Sequence, residues 1–232
     1  MPEPRYGTQN VEYFGSILER AEPGGPMYAL NFMKYREVAD YLGDDGTTRS
    51  GADADNEYAP VEPLAAVGAR IVFVASVEQQ LVGDDVAWDR IAVVRYPTRR
   101  AIIDMSLRDD FRKKHVHKEA GMEFTIVVSS FVEEVVARER SDDLLLIQLL
   151  ADADGPDLVD GVETTHLARF SVEDLMIGDG RRFAEARYDL VTPDAAEEFR
   201  SRAMISDDRN YAVLVAPTID TIMNAAADDL AG

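Results

Sequence analysis

The chain has 232 residues, with 24 Lys plus Arg against 44 Asp plus Glu for a formal charge of −20, and no cysteine. The missing cysteine excludes a disulfide framework, a thiolate nucleophile and a zinc ribbon, and the acidic excess repels phosphate backbones and anionic headgroups. Nucleic acid and membrane are therefore not expected as partners; a small organic ligand is, and association into a homo-oligomer stays open.

A helix is expected near the start, because Val11, Phe14, Leu18 and Ala21 recur at helical spacing before Pro23-Gly24-Gly25-Pro26. Residues 28–34 read as a strand, and residues 40–56, polar and rich in Gly and Asp, as a loop. Tyr58, Val61, Leu64 and Ala65 form a helical stripe ended by Gly68. Strands at 70–77 and 88–96 make a hairpin around Gly83-Asp84-Asp85, Pro97-Thr98 opens a helix that continues toward Gly121, and a strand at 124–131 closes the unit. The order strand, helix, strand, strand, helix, strand is ferredoxin-like.

The order then recurs. Residues 144–150 read as a strand, 166–172 and 183–190 as a hairpin around Gly178-Asp179-Gly180, 193–204 as a helix with Phe199 and Met204 inward, and 211–215 as the last strand. Only a short acidic stretch stands where the first helix of this unit belongs. A shift of 95 residues lays Ser76-Val77-Glu78 on Ser171-Val172-Glu173, Gly83-Asp84 on Gly178-Asp179, Trp88 on Phe183 and Ala101 on Ala196 without a gap. The expected division is an N-terminal helical arm over 1–24, a ferredoxin-like repeat over 25–137 and a degenerate second repeat over 138–232. Each sheet has one bare face, so an α+β fold follows in which two tandem repeats clasp sheet to sheet as an intramolecular, pseudo-dimeric α/β barrel.

Several motifs carry a family resemblance: Gly25-Pro26-Met27-Tyr28-Ala29-Leu30-Asn31-Phe32-Met33-Lys34-Tyr35, Tyr58-Ala59-Pro60, Trp88-Asp89, Val94-Arg95-Tyr96-Pro97-Thr98 and His115-Val116-His117-Lys118-Glu119-Ala120-Gly121. Over residues 25–130 or so the chain resembles the family called domain of unknown function 1330. The resemblance implies the dimeric α/β-barrel superfamily, whose members include cofactor-free monooxygenases, isomerases, lyases, haem-using enzymes and plain ligand-binding modules. The second half departs from the pattern.

Strand alternation assigns Phe183, Glu185, Arg187 and Asp189 to one face and Ala184, Ala186, Tyr188 and Leu190 to the other. With the apolar face against a helix, the barrel cavity is expected to be lined by Trp88 and Phe183 at an aromatic end and by Arg90, Glu185 and Arg187. Structural ion pairing is the competing reading of those charges. Asn31 and Gln148, amides within apolar strands, are expected to hold a ligand carbonyl or each other, with Tyr58 a weaker ligand contact. His115 and His117 share a face only on a strand; on a helix they diverge by roughly 200°, so no metal site is expected. A single histidine is the expected general base, His117 ahead of His115, with Arg187 and Arg90 orienting an anion. The leading expectation is a cytoplasmic small-molecule enzyme working by acid/base chemistry without a cofactor. Its alternatives are a noncatalytic binding or scaffold protein, and a barrel enzyme with haem on a histidine.

Overall fold

The computed structural model describes residues 4–21, 24–43, 46, 48–136, 138, 143–153, 155, 157–159 and 161–232. Pro23 of the expected helix stop, and Asp44, Asp45 and Thr47 of the expected loop, lie outside them. The first half runs β1 (Thr8–Gln9), α1 (Val11–Glu19), β2 (Met27–Tyr35), α2 (Gly51–Tyr58), α3 (Val61–Ala66), β3 (Arg70–Gly83), β4 (Arg90–Tyr96), α4 (Arg99–Ser106), α5 (Asp109–Gly121) and β5 (Met122–Val135). The second runs β6 (Leu144–Leu150), β7 (Thr164–Gly178), β8 (Glu185–Val191), α6 (Pro193–Ser201), β9 (Ile205–Ser206), β10 (Tyr211–Asp220) and α7 (Ile222–Ala231).

Antiparallel pairing joins β7, β5, β2, β4, β3, β10, β6 and β8 in that order, and β8 pairs back onto β7, so one chain closes an eight-stranded barrel. The seams between the halves are β5 on β7 and β3 on β10. Both halves share one internal order, β5-β2-β4-β3 in the first and β10-β6-β8-β7 in the second. The bounds of β4 and β8 differ by 95 at each end. Asn31 lies opposite Ala92, and at the matching place Gln148 lies opposite Arg187.

Alternation divides each strand between the barrel interior and the outer layer. Tyr28, Leu30 and Phe32 of β2, Ile91 and Val93 of β4, Ile147 of β6, Ala186 and Tyr188 of β8, and Val213 and Val215 of β10 fill the interior with Phe73 and Phe170. Burying each large side chain of this kind contributes about 1.5–3 kcal/mol. Outside, Met27, Ala29, Tyr96 and Val127 pack beneath α1, α3, α4 and α5, while Leu146, Val191, Ala212 and Leu214 pack beneath α6.

Helix starts follow local polar chemistry. The side chains of Asn10, Ser50, Thr98 and Thr192 accept from the backbone N–H groups of Tyr13, Asp53, Ala101 and Ala195, satisfying donors at the first turns of α1, α2, α4 and α6. Gly68, at φ +72°, stops α3 in the left-handed conformation that a residue with a Cβ adopts at a cost.

Several sequence expectations need correction. Residues 51–56, expected within a loop, belong to α2, which runs on to Tyr58. Helix α1 buries Tyr13 and Ile17 and exposes Val11 and Leu18, the reverse of the expected stripe, because the Tyr13 hydroxyl finds Ser129 and Glu173 beneath it. Met204 is exposed because α6 ends at Ser201. Strand β10 runs to Asp220, and α7, not expected, packs Ile222, Met223, Ala225 and Ala226 against the interior core. No helix among the described residues is long and apolar enough to cross a membrane.

Candidate functional site

The barrel interior is not the polar chamber expected from the sequence. In β4 and β8 it receives the apolar faces, so Arg90, Glu185, Arg187 and Asp189 point outward. Among the described residues no helix stands between β6 and β7; α6 covers Leu146, Val191, Ala212 and Leu214 from outside, while Ala186 and Tyr188 join the interior core. Arg187 pairs with Glu185, donates to Asp157 Oδ1 at 3.1 Å and donates to the Gly155 carbonyl at 2.8 Å. Asn31 and Gln148 also face outward and do not meet. Asn31 Nδ2 donates to the Ala29 carbonyl at 2.9 Å, whereas Gln148 donates to Asp189 at 3.2 Å and accepts from the Leu158 N–H at 2.9 Å.

Trp88 and Phe183 precede their strands and turn into the interior core. Both contact the Tyr211 ring, with centroids 5.5 and 6.2 Å away, and Trp88 stacks on Phe124. At the opposite mouth, the Tyr28 hydroxyl donates to Asp229 of α7 at 2.6 Å, and Arg95 Nε donates to the same carboxylate at 2.7 Å.

The chemically distinctive groups gather between the outer face of the first half and its helices. Helix α5 presents Phe111, His115 and Lys118 at i, i+4 and i+7, one helical face. The segment before β1 brings Tyr6 across this face, held by Thr125 N–H to the Tyr6 carbonyl at 2.9 Å, and α2 brings Asp55 and Tyr58. The Tyr6 hydroxyl lies 3.3 Å from His115 Nε2, which lies 3.2 Å from Glu119 Oε1. The rings of Tyr6, Tyr58 and Phe111 surround the imidazole with centroids 5.2–6.0 Å away, and His115 Nδ1 is buried with no hydrogen-bond partner among the described residues.

Lys118 is only 9% exposed. Its ammonium nitrogen sits 5.3 Å from the Tyr6 ring centroid and 5.4 Å from that of Tyr58, and no hydrogen bond or ion pair engages it among the described residues. Asp55 is already held by the Tyr35 hydroxyl at 2.6 Å and by Arg90 at 3.2 Å. Two ring faces recover about 1–2 kcal/mol of an ammonium's lost hydration, less than the several kcal/mol that burying an ion costs. Burial accordingly pushes the Lys118 amine below the usual lysine range, against the opposing charges of Asp55 and Glu119. Burial, with Tyr6, Tyr96 and Asp55 adding, pushes the Tyr58 phenol well above its usual range, so it stays protonated.

His117 lies elsewhere. Its Nδ1 is 2.7 Å from the Tyr41 hydroxyl and its ring packs edge-on against Tyr41, away from His115, as the helical spacing requires. Of the expected site residues, the structure brings His115 and Tyr58 together and sets Arg90 behind Asp55. It leaves His117, Arg187, Glu185, Gln148, Trp88 and Phe183 outside this cluster. Tyr6, Asp55, Lys118 and Glu119 were not singled out from the sequence, although the spacing of Phe111, His115 and Lys118 carried the signal.

Fold and site together define a closed antiparallel α+β barrel with a cluster of aromatic rings around His115 and Lys118 on one flank. An anthrone oxidase-like protein shares this fold, with a TM-score of 0.54 at 11% identity over 84% of this chain and 92% of that one. The RPA0582 protein of unknown function from Rhodopseudomonas palustris aligns with a TM-score of 0.47 at 24% identity, over 53% of this chain and 94% of its own. Its methylated form aligns with a TM-score of 0.47 at 25% identity over 56% of this chain and 94% of that one. No family model and no curated protein matches the chain, so the likeness to domain of unknown function 1330 rests on the motifs alone.

Proposed function

We propose that the chain is a small-molecule enzyme of the barrel class, working by acid/base chemistry at the ring cluster between the first-half sheet and helices α2 and α5. The observation that carries this reading is Lys118, a buried amine between two tyrosine rings with no anionic partner among the described residues. Burial makes this ammonium give up its proton more readily than an ordinary lysine, the protonated Tyr58 and the Tyr6–His115–Glu119 chain hold protons beside it, and the rings limit access of water. The anthrone oxidase-like neighbour supports a small-molecule reading at the level of fold only. Lys118 and His115 replace His117, Arg187 and Arg90 as the working groups.

We also infer that the two halves are tandem ferredoxin-like repeats, since strand order, the bounds of β4 and β8 and the Asn31 and Gln148 registers all follow the 95-residue shift. Haem does not fit the histidines as placed. His115 has one ring nitrogen held by Tyr6 and Glu119 and the other buried, and His117 packs on Tyr41. The ion pairs of Glu185 and Arg187 favour a scaffold reading for the second half alone.

An NMR titration of the four lysine side chains tests the site. Lys118 should lose its proton at lower pH than Lys34, Lys113 and Lys114, and four coincident titrations would remove it from proton transfer. Incubating a metabolite pool with the wild type and with Lys118→Met should show a compound consumed by the former only.

A further inference from the structure

We propose that Lys118 forms an imine with an aldehyde or ketone whose body is flat and apolar. The inference rests on the reading of the ring cluster around Lys118 as a proton-transfer site and adds to it a covalent step and a substrate class.

Three observations on different elements lead here. The amine is buried on α5, so it meets only what passes between the rings of Tyr6 and Tyr58. Its surround is aromatic: Tyr6 from the segment before β1 and Tyr58 from α2 flank the nitrogen, and Phe111 and His115 from α5 continue the wall. Such walls suit a planar apolar body better than a sugar or a phosphate. The carboxylates nearest the amine are committed elsewhere, Asp55 to Arg90 and Tyr35, and Glu119 to His115 and the Arg5 N–H. Among the described residues no carboxylate therefore pairs with the ammonium to hold its proton, and loss of that proton frees the lone pair an amine nucleophile needs.

The step balances without an oxidant. The Lys118 nitrogen attacks the carbonyl carbon, a C–N bond forms as the C=O π pair moves to oxygen, and a proton passes from nitrogen to that oxygen. The nitrogen lone pair then forms C=N as the protonated hydroxyl leaves, so amine and carbonyl give an imine and one water. Tyr6 borders Lys118 with its ring while its hydroxyl reaches His115, which places a proton-carrying chain beside the departing oxygen.

The test uses the full chain with benzaldehyde and cyanoborohydride at neutral pH, read by intact mass and peptide mapping. With only four lysines, each adduct is separately countable. Lys118 should be alkylated faster than Lys34, Lys113 or Lys114 by about tenfold for each unit its pKa lies below theirs. Equal labelling of all four, or labelling of the other three that spares Lys118, overturns the proposal. A Lys118 that titrates low in the NMR experiment yet gains no adduct overturns the covalent step and leaves the proton-transfer site standing; an ordinary titration removes both.

Discussion

Gly51 and Gly121 meet backbone to backbone, the first residue of α2 against the last of α5, and a Cβ added to either would fall inside the carbonyl oxygen of the other. Hydrogen bonds lock the contact: Arg36 N–H donates to the Gly121 carbonyl at 2.9 Å, and Gly51 N–H donates to the Arg36 carbonyl at 3.0 Å. This close approach sets Asp55, four residues into α2, near Lys118, three residues before the end of α5. Gly121→Ala should therefore cost about 1–3 kcal/mol, the usual penalty of overpacking, because backbone cannot swing aside as a side chain can. Urea denaturation measures it, and an unchanged midpoint would show that the helices separate freely.

Lys118→Met should remove a pH-dependent penalty. The folded pKa lies below the unfolded one, so the unfolded chain binds the extra proton and the penalty is complete below the folded value. It fades as pH climbs from there to the ordinary lysine range. Urea midpoints of wild type and variant should differ most at acid pH and converge as the solution becomes alkaline. A gap that stays constant with pH would mean that Lys118 remains charged in the fold.

Glu173 behaves in the opposite sense. Burial alone would raise its pKa, but hydrogen bonds from Arg99, Arg20 and Tyr13 win and bring it to about 2. Its contribution is present above the unfolded carboxylate range and is lost as pH falls from there toward about 2. Glu173→Gln should cost about 1 kcal/mol at neutral pH after solvent screening, and nothing at the acid end. Acid titration of stability in the two proteins gives the comparison, and parallel curves would count against the network.

Asp229→Ala should loosen α7 selectively. The carboxylate holds Tyr28 and Arg95 in a nearly enclosed setting, so its removal leaves Arg95 unpaired at a cost of about 3 kcal/mol. Hydrogen exchange should accelerate in residues 222–231 while the barrel strands keep their protection. Uniform acceleration throughout would mean that the helix is part of the global folding unit.

Much of the barrel could be read from the chain because strand order depends on short-range signals: apolar runs, Gly-Asp turns and the recurring 95-residue spacing. Which strand face turns inward was not readable from alternation, since Ala186 and Tyr188 suit either a helix or a core. The barrel settles it by taking Ala186 and Tyr188 into the interior core, with no helix between β6 and β7 among the described residues. Trp88 and Phe183 share their strands' parity but stand in the preceding loops, so they turn in where Arg90 and Glu185 turn out. Helix α2 escaped notice because Gly51 to Tyr58 carries no apolar stripe; Ser50 with Asp53 three residues later was its one local mark. Lys118 looked like a cation at a helix end, and only the arrival of Tyr6 and Tyr58 from distant parts of the chain makes it a buried amine.

Circular closure of the eight strands also bears on self-association. Each of the eight barrel strands has a hydrogen-bonded neighbour on both sides, so among the described residues the strands paired on one side only are the two-residue β1 and β9. Fibril growth templated on a barrel strand would first have to break one of the pairings that close the ring.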